Sequence, residues 1–160
     1  MANLATILAN RGYYITPHIV RSINDSTSSQ IQKHVIPIAR KHFDPIVEGM
    51  QMVIKGGTGR RAQVDSIAIA GKTGTVQNPH GDDHSVFIAF APVENPKIAL
   101  IVYVENGVWG SRYAAPIAGL LIEKYLKGKI SDRKKPLEKE MFQGSLIHNT
   151  TSKVKETSNE

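Results

Sequence analysis

Two apolar segments joined by a short polar connection restrict the fold more than any other feature of this chain. The run from His84 to Ala91 has apolar side chains at both alternating sets of positions, and the run from Lys97 to Val104 behaves the same way. Continuous β-branched runs are typical of strands that are covered on both faces. Residues 92–96 between them have Glu94 and Asn95 at the tip, which predicts a hairpin of two antiparallel neighbours.

Helical periodicity and boundary residues predict three helices, at residues 3–11, 44–55 and 112–127. Asp44-Pro45 marks the start of the second helix, with Asp44 accepting from unpaired N–H groups and Pro45 at the first helical position. Extended segments are expected at residues 13–23, 31–38 and 66–76, and a polar turn at residues 24–30. The predicted class is α/β in content (α+β), with helices packed on an antiparallel sheet.

The last fifth of the chain differs from the rest in composition. After Gly128 the apolar periodicity stops, and Lys, Ser, Thr and Glu predominate with few aromatic residues. Such a composition is typical of a mostly disordered segment. The predicted organisation is therefore a folded segment over residues 1–127 and a polar tail over residues 128–160.

Charge and composition exclude several classes of function. The excess of 20 Lys and Arg over 14 Asp and Glu is spread along the chain without a dense basic stripe, so no nucleic-acid partner is expected. The absence of cysteine excludes disulfides, thiolate catalysis and Cys-ligated metals. No stretch approaches the roughly 18 apolar residues that cross a bilayer, and the N-terminus lacks a secretion-signal pattern.

The segment Gly71-Lys72-Thr73-Gly74-Thr75 carries the most specific chemistry. A phosphate-binding loop would need glycine five residues before Gly71, where this chain has Ser66, and would need a helix afterwards, which Pro79 breaks. The preceding Ile67–Ala70 is typical of a strand. The sequence therefore favours a Lys-Thr-Gly motif on a strand over a phosphate loop.

On a strand, this motif suits an acyl substrate that bears a carboxylate. Lys72 supplies a cation, and the hydroxyls of Thr73 and Thr75 can donate to the carboxylate. Gly74 lets a ligand lie against the backbone, and an exposed strand edge can pair with an extended peptide. The predicted substrate-binding residues are Lys72, Thr73, Gly74 and Thr75. Lys72 and the Thr75 N–H, as an oxyanion donor, are the predicted catalytic groups.

Several stretches, taken in order, resemble one enzyme family. They are residues 1–12, 15–20, 70–81, 84–92 and 104–107. Over roughly residues 1–127 the chain resembles the C-terminal part of the transpeptidase domain of class B penicillin-binding proteins, of the penicillin-binding protein 2 type. The resemblance implies a partial serine β-lactamase/transpeptidase-like fold without its upstream lobe, and apolar surface where that lobe docks.

The resemblance also implies an activity. The family consists of serine D,D-transpeptidases that cross-link peptidoglycan stem peptides and are acylated by β-lactams, with no cofactor or metal. Its site combines Ser-x-x-Lys, Ser-x-Asn and Lys-Thr-Gly motifs, and only the third occurs here in its expected place. Ser131–Lys134 and Ser22–Asn24 match the other two by letter, but in the wrong places. No acyl-enzyme is therefore expected from this chain alone.

Two alternatives remain open at this point. One is a non-catalytic module that binds an extended cell-wall peptide or a partner strand along Lys72–Thr75. The other is a serine β-lactamase or D,D-carboxypeptidase of the same superfamily. The resemblance further implies a membrane-anchored protein that faces the periplasm or extracytoplasmic space and works with cell-wall elongation proteins, although this chain shows no anchor or signal.

A polar cluster follows the motif: His80, Asp82, Asp83 and His84. Its side chains are of metal-ligand types, but adjacent ligands on one loop rarely converge on an ion. The favoured interpretation is a polar loop beside the site, with His80, Asp82 and His84 as candidate groove residues and no metal.

Three further residues receive structural interpretations. Trp109 is expected to seal a core edge rather than to contact ligand. Arg60 and Arg61 are expected in a solvated loop, although contact with an acidic substrate or partner is the alternative.

Overall fold

The computed structural model describes residues 1–20 and 32–146, and the backbone of two short strands between them. Its helices are α1 (Ala2–Ala9), α2 (Asp44–Lys55), α3 (Ala114–Lys127) and α4 (Lys135–Gln143). Its strands are β1 (Tyr13–Ile15), β2 (Ser22–Ile23), β3 (Ser26–Thr27), β4 (Lys33–Val35), β5 (Ala70–Val76), β6 (His84–Ala91) and β7 (Ile98–Val104). Single 3-10 turns occur at Arg40–His42, Arg60–Ala62 and Asp132–Lys134. Within these described residues, no helix combines the length and apolarity that a membrane span requires.

The predicted hairpin forms the centre of a three-stranded antiparallel sheet in the order β5-β6-β7. Phe87 of β6 lies opposite Thr73 of β5 on one side and Val102 of β7 on the other. In the part of the chain that the structure describes, β5 and β7 each pair with β6 alone, so both are edge strands. The predicted mixed class with antiparallel pairing is confirmed.

A second antiparallel pair joins β1 to β4, as the two extended segments near residues 13 and 31 predict. The regular pairing is shorter than expected, at three residues on each strand. The predicted polar turn at residues 24–30 lies mostly outside the described residues. Within it, the backbone of β3 pairs with β2 in antiparallel register.

Strand β6 is buried on both faces, as its sequence predicts. Phe87 and Ala89 pack with α3 on one face, and Phe90 packs with α1 and α2 on the other. Strand β7 is covered less completely, and Tyr103 is 49% exposed. The two runs have similar sequences, but β7 differs in burial because it lies at the edge of the sheet.

Helix α2 has its predicted bounds but not its predicted cap. Phe43 occupies the N-cap position, and no side chain makes a capping hydrogen bond. Asp44 is instead the first helical residue, where its carboxylate still favours the positive end of the helix dipole, and it pairs with Arg11 at 3.6 Å. The helix starts there because Phe43, which follows the 3-10 turn Arg40–His42, is already in helical geometry.

The structure corrects the prediction of a disordered tail for the residues that it describes. A 3-10 turn at Asp132–Lys134 leads into α4. Ion pairs fasten this segment to the loop before β5, between Glu140 and Arg61 at 2.7 Å and between Arg133 and Asp65 at 3.0 Å. Composition does not reveal this helix because its partners lie far away in sequence. Residues 147–160 lie outside the described residues, and the division of the chain at residue 127 stays a prediction.

Lys134 makes the attachment of this segment sensitive to pH. Its ammonium group donates to the Gln63 carbonyl oxygen. Burial lowers the pKa of Lys134 below its ordinary value of 10.5. The negative charges of Glu123 and Asp65 act in the other direction and raise the pKa, but burial has the larger effect. Between the lowered pKa and 10.5, the unfolded chain therefore binds more protons than the folded chain, and the stability due to Lys134 rises with pH.

We therefore expect the wild type to gain stability relative to the Lys134→Met variant as the pH rises through this alkaline window. Urea denaturation of both proteins at several pH values up to 10.5 measures the difference in unfolding free energy. A difference that stays constant with pH, or that falls, would contradict the burial of this ammonium.

Candidate functional site

The motif Gly71–Thr75 lies within β5 at the edge of the sheet, and not in a loop that opens a helix. Because side chains alternate along a strand, Lys72 and Gly74 belong to one face of the sheet and Thr73 and Thr75 to the other. Lys72 is exposed. Its position on an open strand edge agrees with the strand motif and excludes the phosphate loop.

A groove of ≈ 530 Å³ lies beside β5. Strand β5 lines it with the four predicted substrate-binding residues, Lys72, Thr73, Gly74 and Thr75. The other lining residues come from the turn after α2 and from the segment before α3, namely Thr58, Trp109, Gly110 and Ser111. The structure thus brings the predicted residues together in one concave site.

The segment before α3, residues 107–113, is called here the groove loop. Its backbone lies directly on the sheet at Gly110, where an added Cβ atom would be 2.5 Å from the Val86 carbonyl oxygen and 2.8 Å from that of Gly74. Real Cβ atoms do not approach other atoms so closely, so the position requires glycine. The close approach holds the loop against the strand that carries the motif.

Ser85 anchors the same loop from the core. It is 0% exposed in β6, and its hydroxyl donates to the Trp109 carbonyl oxygen at 2.8 Å. The same hydroxyl oxygen accepts from the Ala114 N–H at 3.1 Å. The Trp109 carbonyl and the Ala114 N–H thus both have hydrogen-bond partners, and these two bonds fix the path of the chain into α3.

The polar groups of the groove suit an anionic ligand. The Lys72 ammonium donates to the Thr73 carbonyl oxygen at 2.9 Å, which holds it beside the strand. The Thr73 hydroxyl hydrogen-bonds with the Thr58 hydroxyl at 2.7 Å. An ammonium and hydroxyl groups that line the same groove can bind a carboxylate through charge-assisted hydrogen bonds.

Trp109 lies in the groove, and the prediction that it seals a core edge is wrong. Its side chain is 64% exposed and lines the groove. The contact that holds Trp109 to the core is made by its backbone carbonyl, which accepts a hydrogen bond from the Ser85 hydroxyl. The indole is not part of this contact and lies at the surface. The groove therefore combines one cation with one aromatic surface.

The structure places His80, Asp82 and His84 outside the lining of the groove. They lie in the loop from β5 to β6 and at the start of β6. The His84 Nδ1 atom accepts from the Asn106 N–H at 3.1 Å, and the Asp82 carbonyl oxygen accepts from the Asn78 side-chain amide at 3.3 Å. These contacts organise the loop itself. Over the described part of the chain, no group of three or more His, Cys, Asp or Glu residues is arranged to hold a metal ion.

Of the two letter matches, the structure describes only Ser131–Lys134, and neither Ser131 nor Lys134 lines the groove. The Lys134 ammonium donates to the Gln63 carbonyl oxygen, and Ser131 precedes a 3-10 turn. The side chains of Ser22–Asn24 lie outside the described residues.

Four residues of the groove region have roles that the sequence did not reveal. Thr58, Gly110 and Ser111 line the groove. The only sequence signal for them is glycine, which flanks Thr58 on both sides and precedes Ser111 as Gly110 itself. Arg61 is not simply solvated as predicted, because its guanidinium binds both the Arg112 carbonyl oxygen and Glu140.

The geometry of this site agrees with the comparison with known families. A model described as the penicillin binding protein transpeptidase domain matches residues 1–123. The chain belongs to this transpeptidase family. The peptidoglycan D,D-transpeptidase MrdA of Haemophilus influenzae is 31% identical over 155 residues, which cover 81% of this chain and 24% of that protein. The chain thus spans about a quarter of the length of this curated relative.

Solved structures confirm the predicted partial fold of the transpeptidase domain. A crystal structure of Pseudomonas aeruginosa PBP2 in complex with WCK 5153 matches with a TM-score of 0.69 and 34% identity, over 84% of this chain and 31% of that one. Penicillin-binding protein A from M. tuberculosis, as an imipenem acyl-enzyme complex, matches with a TM-score of 0.66 and 30% identity, over 78% and 29%. These neighbours have the serine β-lactamase-like fold, of which this chain forms one part.

Proposed function

We propose that this chain provides the part of a peptidoglycan D,D-transpeptidase that binds the substrate carboxylate and stabilises the oxyanion. The observation that supports this most directly is the exposed Lys72 on an edge strand, in a groove that Thr73, Gly74 and Thr75 also line. The relatives named as D,D-transpeptidases supply the reaction class.

Each motif residue has a proposed role in serine acyl transfer. Lys72 attracts the terminal carboxylate of an extended stem peptide to the edge of β5 through its charge. The Thr73 and Thr75 hydroxyls, on the other face of the strand, orient the carboxylate. The backbone N–H of Thr75 donates to the oxygen that becomes negative when a serine attacks the acyl carbon. Gly74 leaves room for the peptide, which lies along the open edge of β5 as an added strand.

The nucleophile of the reaction is proposed to lie outside the residues of this chain. No Ser-x-x-Lys sequence precedes Lys72, and the two letter matches are remote from the groove or lie outside the described residues. An activated serine is required for an acyl-enzyme. The isolated chain should therefore bind peptides and β-lactams without forming a covalent adduct.

The cellular setting follows from the family resemblance. The complete protein is proposed to be anchored in the cytoplasmic membrane, to face the periplasm or extracytoplasmic space, and to act on stem peptides with cell-wall elongation proteins. β-Lactam antibiotics are the proposed inhibitors, as the imipenem complex of the M. tuberculosis relative suggests by analogy.

A second candidate is a non-catalytic module that binds a peptide strand. The open edge of β5 favours it, because main-chain pairing there needs no nucleophile. The two candidates differ in what the ligand must offer. The transpeptidase role requires a terminal carboxylate opposite Lys72, whereas strand pairing alone accepts a peptide with a blocked C-terminus.

The test is the affinity of the purified chain for a fluorescein-labelled D-alanyl-D-alanine peptide, with the corresponding C-terminal amide as comparison. We expect the acid to bind more tightly, and Lys72→Ala to weaken its binding about tenfold, as loss of a charge-assisted hydrogen bond implies. The matched control is Lys97→Ala, an exposed lysine at the hairpin connection, which should leave binding unchanged. Fluorescence anisotropy measures all four values.

Equal affinity for acid and amide would support the strand-binding module instead. A fluorescent penicillin should leave the denatured chain unlabelled on a gel. Covalent labelling at a mapped serine would overturn the assignment of the nucleophile to a region outside this chain.

A further inference from the structure

Helix α4 lies beyond the residues that match the family model, yet Arg61 ties it to the groove loop. Arg61 belongs to the 3-10 turn between α2 and β5. Its Nη2 atom donates to both carboxylate oxygens of Glu140 in α4, at 2.7 and 2.8 Å. Its Nη1 atom donates to the carbonyl oxygen of Arg112 at 2.9 Å. One guanidinium thus connects α4 with the loop that lines the groove.

The connection continues from Arg112 to the exposed tryptophan. The Arg112 N–H donates to the Trp109 carbonyl oxygen at 2.9 Å, and the Ala115 N–H donates to the Gly110 carbonyl oxygen at 2.9 Å. Gly110 lies against the backbone of β5 beside the motif. A shift of the Arg112 carbonyl would therefore reach Trp109 and Gly110, which line the groove together with the motif.

The contacts of Arg61 suit positioning better than stabilisation. The side chains of Arg61 and Glu140 are 37% and 56% exposed, and ion pairs with such exposure add little to stability. A planar guanidinium, however, fixes two acceptors in set directions at once, which the flexible ammonium of lysine does not do. The main effect of Arg61 is therefore to fix the positions of the Arg112 carbonyl and the Glu140 carboxylate relative to each other.

We propose that Arg61 is a positioning residue through which α4 fixes the groove loop and so sets the width of the groove beside Lys72. It holds the Arg112 carbonyl and the Glu140 carboxylate together. The order that it gives the loop does not depend on which ligand binds. Its effect on ligand affinity rests on the proposed function.

Trp109 offers a direct measurement, because it is the only tryptophan of the chain. In the ligand-free protein, Arg61→Ala and Glu140→Ala should lower the fluorescence anisotropy of Trp109 and increase its quenching by acrylamide. Arg61→Lys should behave like Arg61→Ala, since lysine keeps the charge but not the double contact. The matched control is Arg133→Ala, which removes the ion pair with Asp65 that fastens the same C-terminal segment. It should leave the Trp109 signal unchanged.

The same proteins are then titrated with N-acetyl-D-alanyl-D-alanine. Arg61→Ala and Glu140→Ala should raise its Kd up to about fivefold, the upper range for an exposed ion pair, and Arg133→Ala should not. Far-UV circular dichroism and thermal melting verify that every variant is folded.

The two readouts separate the two proposals. Unchanged Trp109 anisotropy in folded Arg61→Ala, or an equal change in Arg133→Ala, would overturn the positioning role. Failure of the wild type to bind the dipeptide would instead count against the proposed function, while the anisotropy of the ligand-free variants would still decide the role of Arg61.

Discussion

Replacing Phe87 by alanine is expected to lower the free energy of unfolding by about 3–5 kcal/mol, enough to unfold a marginally stable chain. Phe87 is 0% exposed at the centre of β6 and packs in the cluster that joins the sheet to α3. It also lies beneath the motif, because a Cβ atom on Gly71 would be only 2.5 Å from the Phe87 ring. The variant would therefore leave a cavity directly under β5.

Urea denaturation followed by circular dichroism measures this loss. Phe142→Ala is the matched control, since Phe142 in α4 is 84% exposed and the same truncation should change stability by less than about 0.5 kcal/mol. Similar stability changes in the two variants would show that the ring of Phe87 does not support the sheet as described.

Gly110→Ala is expected to destabilise the chain by about 2 kcal/mol or more, through overpacking against main-chain atoms. The new Cβ atom would meet the carbonyl oxygens of Val86 and Gly74 at 2.5 and 2.8 Å, and neither oxygen can move without disturbing the β5–β6 ladder. The groove loop must then lift away from the strand. We expect a loss of affinity for D-alanyl-D-alanine peptides together with the loss of stability.

Gly49→Ala is the matched control, because the same added atom would meet no other part of the protein within 4 Å beyond the neighbouring backbone of its own helix. In the middle of α2 it should stabilise the chain by about 1 kcal/mol, through the higher helix propensity of alanine. Thermal melting of the two variants should therefore give shifts of opposite sign. A neutral Gly110→Ala variant with unchanged peptide binding would contradict the close contact between the groove loop and the sheet.

The parts of the fold that sequence predicted are those where local pattern and tertiary environment agree. Strand β6 is apolar on both faces and is buried on both, and α2 has the bounds that its periodicity indicates. Helix α4 is not predicted because it depends on tertiary contacts, its packing against α3 and the hydrogen bonds of Glu140 with Arg61, and composition contains no record of them. The N-cap of α2 is Phe43, one residue before the predicted Asp44, because Phe43 already has helical geometry after the 3-10 turn.

The candidate site was predictable only in its continuous part. Lys72 to Thr75 stand in one strand, so motif and site coincide. The other side of the groove is assembled from Thr58 and the groove loop, which are distant in sequence and bear no motif. The prediction that Trp109 seals a core edge rests on the usual packing of a lone tryptophan, whereas here the backbone carbonyl rather than the indole makes the anchoring contact.

The two edge strands of the sheet differ in how well they resist self-association. Strand β7 has no charged side chain, whereas β5 carries the exposed Lys72, and a lysine on an edge strand deters the addition of a strand that brings no carboxylate to pair with it. The residue proposed to recruit a carboxylate is thus also a gatekeeper against aggregation. Light scattering should accompany any binding assay of Lys72→Ala. Oligomers that pair along β5 in this variant would cover the groove and lower the apparent affinity for the peptide.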